Sequence, residues 1–269
     1  MSNIKLTVLG TASALPIKDR YPSAQVLSVH GRLFLIDCAE GTQIQMRRAH
    51  LSFVKVEAIF ISHIHGDHVL GLFGLLSTMS MLGRKQTISI YGPRALGGFV
   101  KFFLSYYGEG LGFEIDFHPV TGNSMAEIHV SKRMSVKAFP LKHGIECYGY
   151  RFDEIVPPRR PSNTPFTPCS YAYCSDTMYF PELPEYIKGV DLLYHEATYP
   201  SEMQEKAVKR YHSTTLEAAR QALDAGVGKL LIGHFSSKYP DLQIFLDEAQ
   251  TVFKNTEIAK ELQEYELKA

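Results

Sequence analysis

His63-Ile64-His65-Gly66-Asp67-His68 follows directly on the apolar run VEAIFIS (Val56–Ser62), and this junction decides how the chain is read. The run is short, apolar and rich in β-branched residues, which predicts a strand. Where it stops, ligand-type side chains follow in H-x-H-x-D-H spacing, Gly66 eases the turn, and a helical apolar period begins (LGLFGLLSTMSML, after Val69). Side chains gathered at a strand end can point into one cavity, and imidazole nitrogens with carboxylate oxygens suit zinc and similar divalent ions. A lone histidine is usually a satisfied core or surface group. This run is read as a metal site instead.

Further along stand His143 in PLKHGIE, Asp176 in YCSDTMY and His234 in LLIGHFS, each just after a predicted strand, where loops collect at one sheet edge. His63, His65 and His143 can bind one ion, and Asp67, His68 and His234 a second. Asp176 would bridge them, as carboxylates do in two-metal sites with ions about 3.5–4 Å apart.

The rest of the chain supplies a scaffold of two strand-rich stretches. The first holds IKLTVL (Ile4–Leu9), QVLSVH (Gln25–His30), RLFLID (Arg32–Asp37) and VEAIFIS; the second holds MSVKAF (Met134–Phe139), CYGYRF (Cys147–Phe152), SYAYCS (Ser170–Ser175) and VDLLYH (Val190–His195). Helical periodicity follows Gly41, Val69, Pro93, Ser213 and Pro240, with Ser213-Thr214 before Leu216-Glu217 as an N-cap signal. Two β-rich runs, each with helices, predict an α/β fold of two packed mixed sheets with helices on the outer faces, an αββα sandwich. A doubly wound parallel sheet is the alternative, because several helices lie between strands. One domain over residues 1–269 fits this length. The exception is Val156–Pro168, VPPRRPSNTPFTP, whose prolines exclude a helix or a central strand.

A composition of 45% hydrophobic and 21% charged residues is that of a globular protein rather than a disordered one. The N-terminus alternates like a strand and lacks signal-peptide layout, and no apolar run approaches the roughly 20 residues of a membrane span. Cys38, Cys147, Cys169 and Cys174 form no C-x-x-C pair, which favours reduced thiols and a cytoplasmic setting. With a formal net charge of zero, a polyanionic partner has to be met by a local basic patch.

The motif H-x-H-x-D-H with a spaced His, Asp and His resembles the metallo-β-lactamase superfamily, and within it the chain is similar to the ribonuclease Z family. The matching segments are LGTASALP (Leu9–Pro16), DCAEGTQIQ (Asp37–Gln45), SHIHGDHVLGLFGLL (Ser62–Leu76), YGP (Tyr91–Pro93), HEAT (His195–Thr198) and YHSTT (Tyr211–Thr215), reaching nearly the whole chain. Ala39 stands where the family more often has Gly. The resemblance implies a zinc-dependent endoribonuclease that removes the 3′ trailer from tRNA precursors, with two Zn2+ per chain (Mn2+ being another divalent candidate), working as a homodimer without a membrane. It implies Asp67 as the base acting on water, and a pair of Glu196 and His212 assisting proton transfer to the leaving 3′ oxygen.

For RNA contact, the basic candidates are Arg159 and Arg160 in the proline-rich segment, and Lys206, Lys209 and Arg210 near the HST segment; Arg47-Arg48 and Lys132-Arg133 are further pairs. Many family members carry a long RNA-binding arm between the positions of Arg151 and Ser170. Here residues 156–169 form a short proline-rich segment in its place. Two other readings remain open from sequence: a hydrolase of the same fold acting on a small phosphodiester, sulfate ester, thioester or lactone, and a non-catalytic metal-stabilised binding protein.

Overall fold

A computed structural model of the chain describes residues 4–156 and 167–267. Strands β1 (Ile4–Gly10), β2 (Ala24–Val29), β3 (Arg32–Cys38), β4 (Val56–Phe60), β5 (Ile88–Pro93) and β6 (Ile115–Val120) build a first sheet. Strands β7 (Ala126–Val130), β8 (Met134–Pro140), β9 (Tyr148–Glu154), β10 (Ser170–Cys174), β11 (Leu192–Glu196), β12 (Leu230–Gly233) and β13 (Thr256–Ile258) build a second, and β14 (Glu264–Glu266) returns to the edge of the first beside β1. Both sheets are mixed. Pairing is antiparallel from β14 through β3 and parallel from β3 through β6; in the second sheet it is antiparallel from β7 through β10 and parallel from β10 through β13. The strands thus divide between two sheets, not one doubly wound sheet.

Period-2 alternation decides what each strand buries. Ile4, Leu6 and Val8 of β1, Phe34 and Ile36 of β3, and Ala58 and Phe60 of β4 meet Tyr148, Tyr150 and Phe152 of β9, Tyr171 and Tyr173 of β10, and Tyr194 of β11 in one buried layer. That layer is aromatic and its hydroxyls need partners. The Tyr150 hydroxyl donates to the Ile61 carbonyl at 2.6 Å, and the Tyr171 hydroxyl donates to Gln25 Oε1. The opposite strand faces lie under helices. Met46 of α1 (Thr42–Arg48), Leu72, Leu75, Leu76 and Met79 of α3 (Leu72–Met81), and Leu96, Val100 and Phe103 of α4 (Leu96–Tyr107) cover the first sheet. Leu183 of α5 (Leu183–Tyr186), Ala218, Ala219 and Ala222 of α7 (Thr215–Ala225), and Phe245 and Ala249 of α8 (Gln243–Val252) cover the second. Two one-turn-scale helices, α2 (Gly66–Val69) and α6 (Gln204–Lys209), lie in the loops of the functional end. No helix among the described residues is long and apolar enough to cross a membrane. Cys38, Cys147, Cys169 and Cys174 are free and buried.

The expected N-cap is real. Thr214 accepts from the Glu217 backbone N–H, the Glu217 carboxylate accepts from the Thr214 N–H at 2.8 Å, and Gly226 closes α7 in the left-handed region at φ 62°. Replacing Thr214 by Ala removes one half of this box and should lower stability by about 1 kcal/mol, read as a shift of the urea midpoint at unchanged m-value; an unshifted midpoint would show that the box is dispensable.

Candidate metal centre

The functional side chains sit where strands end. His63 and His65 occupy the turn leaving β4, Asp67 and His68 lie in α2, His143 is in the loop between β8 and β9, Asp176 follows β10, Glu196 is the last residue of β11, and His234 follows β12. β4, β10, β11 and β12 all belong to the parallel halves of their sheets, so their carboxyl ends share one edge, the place where α/β sheets present ligand sites. His212 stands two residues before the cap of α7, and His234 adopts φ 60°.

The sequence-predicted ligand residues meet as two clusters. In the first, His63 Nε2 lies 3.0 Å from His65 Nδ1 and 3.6 Å from Asp176 Oδ2, and His143 Nε2 lies 3.2 Å from His65 Nδ1. In the second, His68 Nε2 lies 3.3 Å from His234 Nε2, 3.6 Å from Asp67 Oδ2 and 3.4 Å from Asp176 Oδ1, and His234 Nε2 lies 3.4 Å from Asp67 Oδ2. Within each cluster the donor atoms are all within 4.8 Å of one another. Ligands about 2.0–2.1 Å from a tetrahedral ion stand roughly 3.3–3.4 Å apart, so these spacings fit an ion in each cluster. Asp176 reaches both, one oxygen to each. Its Oδ1 is buried without a hydrogen-bond partner, a costly state that a cation would relieve. Burial, reinforced by the neighbouring His68, pushes His63 well below its ordinary pKa, while at His68 the Asp176, Asp67 and Asp37 carboxylates outweigh burial and hold the ring well above its own.

The other ring nitrogen of most of these histidines is held. His68 Nδ1 donates to Asp37 Oδ2 at 2.7 Å, His143 Nδ1 to the Tyr211 carbonyl at 3.0 Å, and His234 Nδ1 to the Thr198 hydroxyl at 2.9 Å; His63 Nδ1 meets the Ser62 hydroxyl at 3.0 Å. Such partners fix ring orientation and tautomer. Asp37 is the residue that sequence reasoning missed. Its carboxylate also accepts the Ser62 N–H at 2.7 Å, the Ser62 hydroxyl at 2.9 Å and the Tyr173 hydroxyl at 2.6 Å, and its backbone is left-handed at φ 53°. The available signal was an acid ending an otherwise apolar strand, RLFLID.

Beside the clusters lies a second assembly. Glu196 is fully buried; one oxygen accepts from the Thr177 N–H, the Ser213 N–H and His212 Nδ1, and the other from the Thr198 N–H and hydroxyl. Burial alone pulls the His212 pKa down, but the Glu196 and Asp176 carboxylates outweigh it and raise it to about 9. His195 does not join the site: it is buried, with Nδ1 on the Glu196 carbonyl. A cavity of about 590 Å³ opens over these groups, lined by Asp67, His143, Asp176, His212 and His234 and rimmed by Lys206 and Arg210. Lys209 is exposed and not part of that lining. Arg159 and Arg160 lie outside the described residues.

The profile of the beta-lactamase superfamily domain matches residues 32–235. A ribonuclease Z of Bacteroides fragilis is 38% identical, with 97% of this chain and 98% of that protein covered, and a ribonuclease Z of Porphyromonas gingivalis is 37% identical with the same coverage. Both alignments run over 298 residues, longer than the 269-residue chain, so these relatives carry residues that have no counterpart here. Among solved structures, the short form of human tRNase Z superposes with a TM-score of 0.83 at 28% identity over 98% of this chain and 100% of that one.

Asp37→Asn keeps the shape of the side chain but removes the charge that holds His68. Such a change should weaken divalent-metal retention by about 10–100-fold, measured as metal content after dialysis against graded chelator. Wild-type retention in the variant would strip Asp37 of this role.

Proposed function

The chain belongs to the ribonuclease Z family of the metallo-β-lactamase superfamily, and from that membership we propose that it is a hydrolytic endoribonuclease which removes the 3′ trailer from tRNA precursors. The observation that carries the reading is the pairing of the His212 ring with a saturated, buried Glu196 beside the two donor clusters, at the floor of one cavity. Hydrolysis of a phosphodiester needs an attacking water stripped of a proton, countercharge on the phosphate, and a proton for the departing 3′ oxygen.

We assign His63, His65, His143 and Asp176 to one divalent ion and Asp67, His68, His234 and Asp176 to the other, with zinc as the resident metal. When bound, such a pair supplies a nucleophile at neutral pH and positive charge against the non-bridging phosphate oxygens. The chain's own groups do the rest. Asp67 takes the proton of the attacking water, its carboxylate steadied by the Ala14 N–H at 2.7 Å. As the water oxygen bonds to phosphorus and the bond to the 3′ oxygen breaks, His212 gives its Nε2 proton to that oxygen. Glu196 holds His212 Nδ1–H, so the ring is oriented and its cationic form favoured. Thr198 donates to Glu196 and accepts from His234, tying the acid to a ligand.

RNA contact is assigned to Lys206, Lys209 and Arg210, and to Arg159 and Arg160 in the 156–169 segment. We read residues 156–169 as a shortened arm of a single domain; the relatives' longer alignments leave room for such a shortening without placing it. Family membership supports a homodimer working in the cytoplasm.

Elemental analysis of folded, unchelated protein should find two divalent ions per chain; finding none would refute the centre. His212→Ala should keep those ions and slow cleavage of a tRNA precursor by roughly 10²–10⁴-fold, the usual worth of a general acid. Hydrolysis of a nitrophenyl phosphodiester, whose leaving group needs no proton, should suffer far less. Equal losses on both substrates would overturn the general-acid role.

A further inference from the structure

Two cations rim one side of the cavity mouth and a third lies beside them, with no counter-ion among the described residues. Lys206 and Arg210 project from α6 and its end at i, i+4 spacing and both line the cavity. Lys238 arrives from a different part of the chain, the loop that follows His234 and β12. Its ammonium group comes close enough to Lys206 that, after burial, it is the main influence depressing the Lys206 pKa, with Arg210 adding to it. Among the described residues none of the three makes an ion pair. The Lys206 ammonium sits over the Tyr199 ring, 4.8 Å from its centroid.

Like charges brought together on exposed, flexible side chains would ordinarily spread apart or recruit an acid. The acids nearest in sequence, Glu202, Glu205 and Asp241, form no ion pair with the three; Glu248 accepts from the Ser201 N–H and hydroxyl, and Glu217 is engaged with Thr214 and Gln204. A site left cationic on three independent side chains is built to take an anion.

Its position says which anion. Tyr199 lies between this cluster and the proton donor, its ring centroid 6.1 Å from that of His212. His212 faces the departing 3′ oxygen, which belongs to the nucleotide on the 5′ side of the cleaved bond. The next group of the RNA on that same side, one nucleotide on, is a backbone phosphate. We infer that Lys206, Lys238 and Arg210 form a subsite for the phosphate immediately 5′ of the last retained nucleotide, so that this chain grips the product side of the substrate, not the trailer. The inference rests on the endoribonuclease reading and on His212 as the acid. It adds Lys238, which no sequence motif singled out, and it gives the cluster a direction along the RNA.

The test uses the full-length, metal-loaded protein and a short tRNA-precursor acceptor stem with its trailer, either unmodified or carrying a neutral methylphosphonate at that one phosphate. On the unmodified RNA, Lys206→Gln and Lys238→Gln should each raise KM about tenfold, the scale of one charge-assisted contact. Wild type should lose a similar factor on the methylphosphonate RNA, and the variants should then lose little more. A methylphosphonate placed one linkage into the trailer should leave the variants' deficit intact. Losses that multiply on the modified RNA, or variants indistinguishable from wild type on the unmodified one, would overturn the subsite. Failure of the underlying reading looks different: wild type would not cleave the unmodified RNA at all while still hydrolysing bis(p-nitrophenyl) phosphate.

Discussion

The Asp37 carboxylate, buried at the end of β3, accepts from the Ser62 N–H and hydroxyl, from His68 Nδ1 and from the Tyr173 hydroxyl. A carboxylate taken out of water is costly by several kcal/mol unless its lone pairs are engaged. Here they are engaged by groups of both sheets. Ser62 and His68 flank the turn leaving β4 of the first sheet, while Tyr173 reaches across from β10 of the second. One charge therefore fixes the histidine-bearing turn and the separation of the sheets at their functional edge. Ser175 extends the network by donating to the Ser62 hydroxyl at 2.9 Å, just before Asp176.

Glu196 plays the corresponding part on the second sheet. Its donors come from the loops after β10 and β11 and from the entry to α7, so one carboxylate gathers three connections that are otherwise independent. Neither sheet holds the site alone. His63, His65, Asp67 and His68 come from the first, and His143, Asp176 and His234 from the second, so both donor clusters straddle the seam. The aromatic layer behind them sets how closely the seam closes, which makes packing between sheets a condition of the chemistry rather than a background to it.

What the sequence made legible follows from the range of the interactions involved. The H-x-H-x-D-H run, the strands with clean alternation and the Thr214–Glu217 box are local signals, and each was found within a residue or two of where it lies. β13 and β14 have three residues each, β7 is mostly exposed and β6 contains Pro119, so none of these gave a periodic signal. Asp37 went unread for a different reason. Its partner Tyr173 is 136 residues away, and an acid ending the apolar strand RLFLID does not by itself say what will enclose it. Lys238 is hidden in the same way, since its meaning comes from Lys206 on another element.

Several unsatisfied features gather at the functional edge, beside others elsewhere in the fold such as Thr7 Oγ1 and Gln221 Oε1. Asp176 Oδ1 is buried without a partner, Asp37 and His234 hold left-handed backbone, and Lys206 faces Lys238 with no acid between them. Each costs stability on its own, and left-handed backbone at a residue other than glycine costs of order 1–3 kcal/mol. Elsewhere the same chain is locally consistent, with a capping box on α7, alternating strands and tyrosine hydroxyls that find acceptors across the seam. A fold that could satisfy these groups internally would have an acid beside Lys206 and a donor on Asp176. At the cavity, the proposed function supplies what these groups lack, cations within it and a polyanion at its mouth.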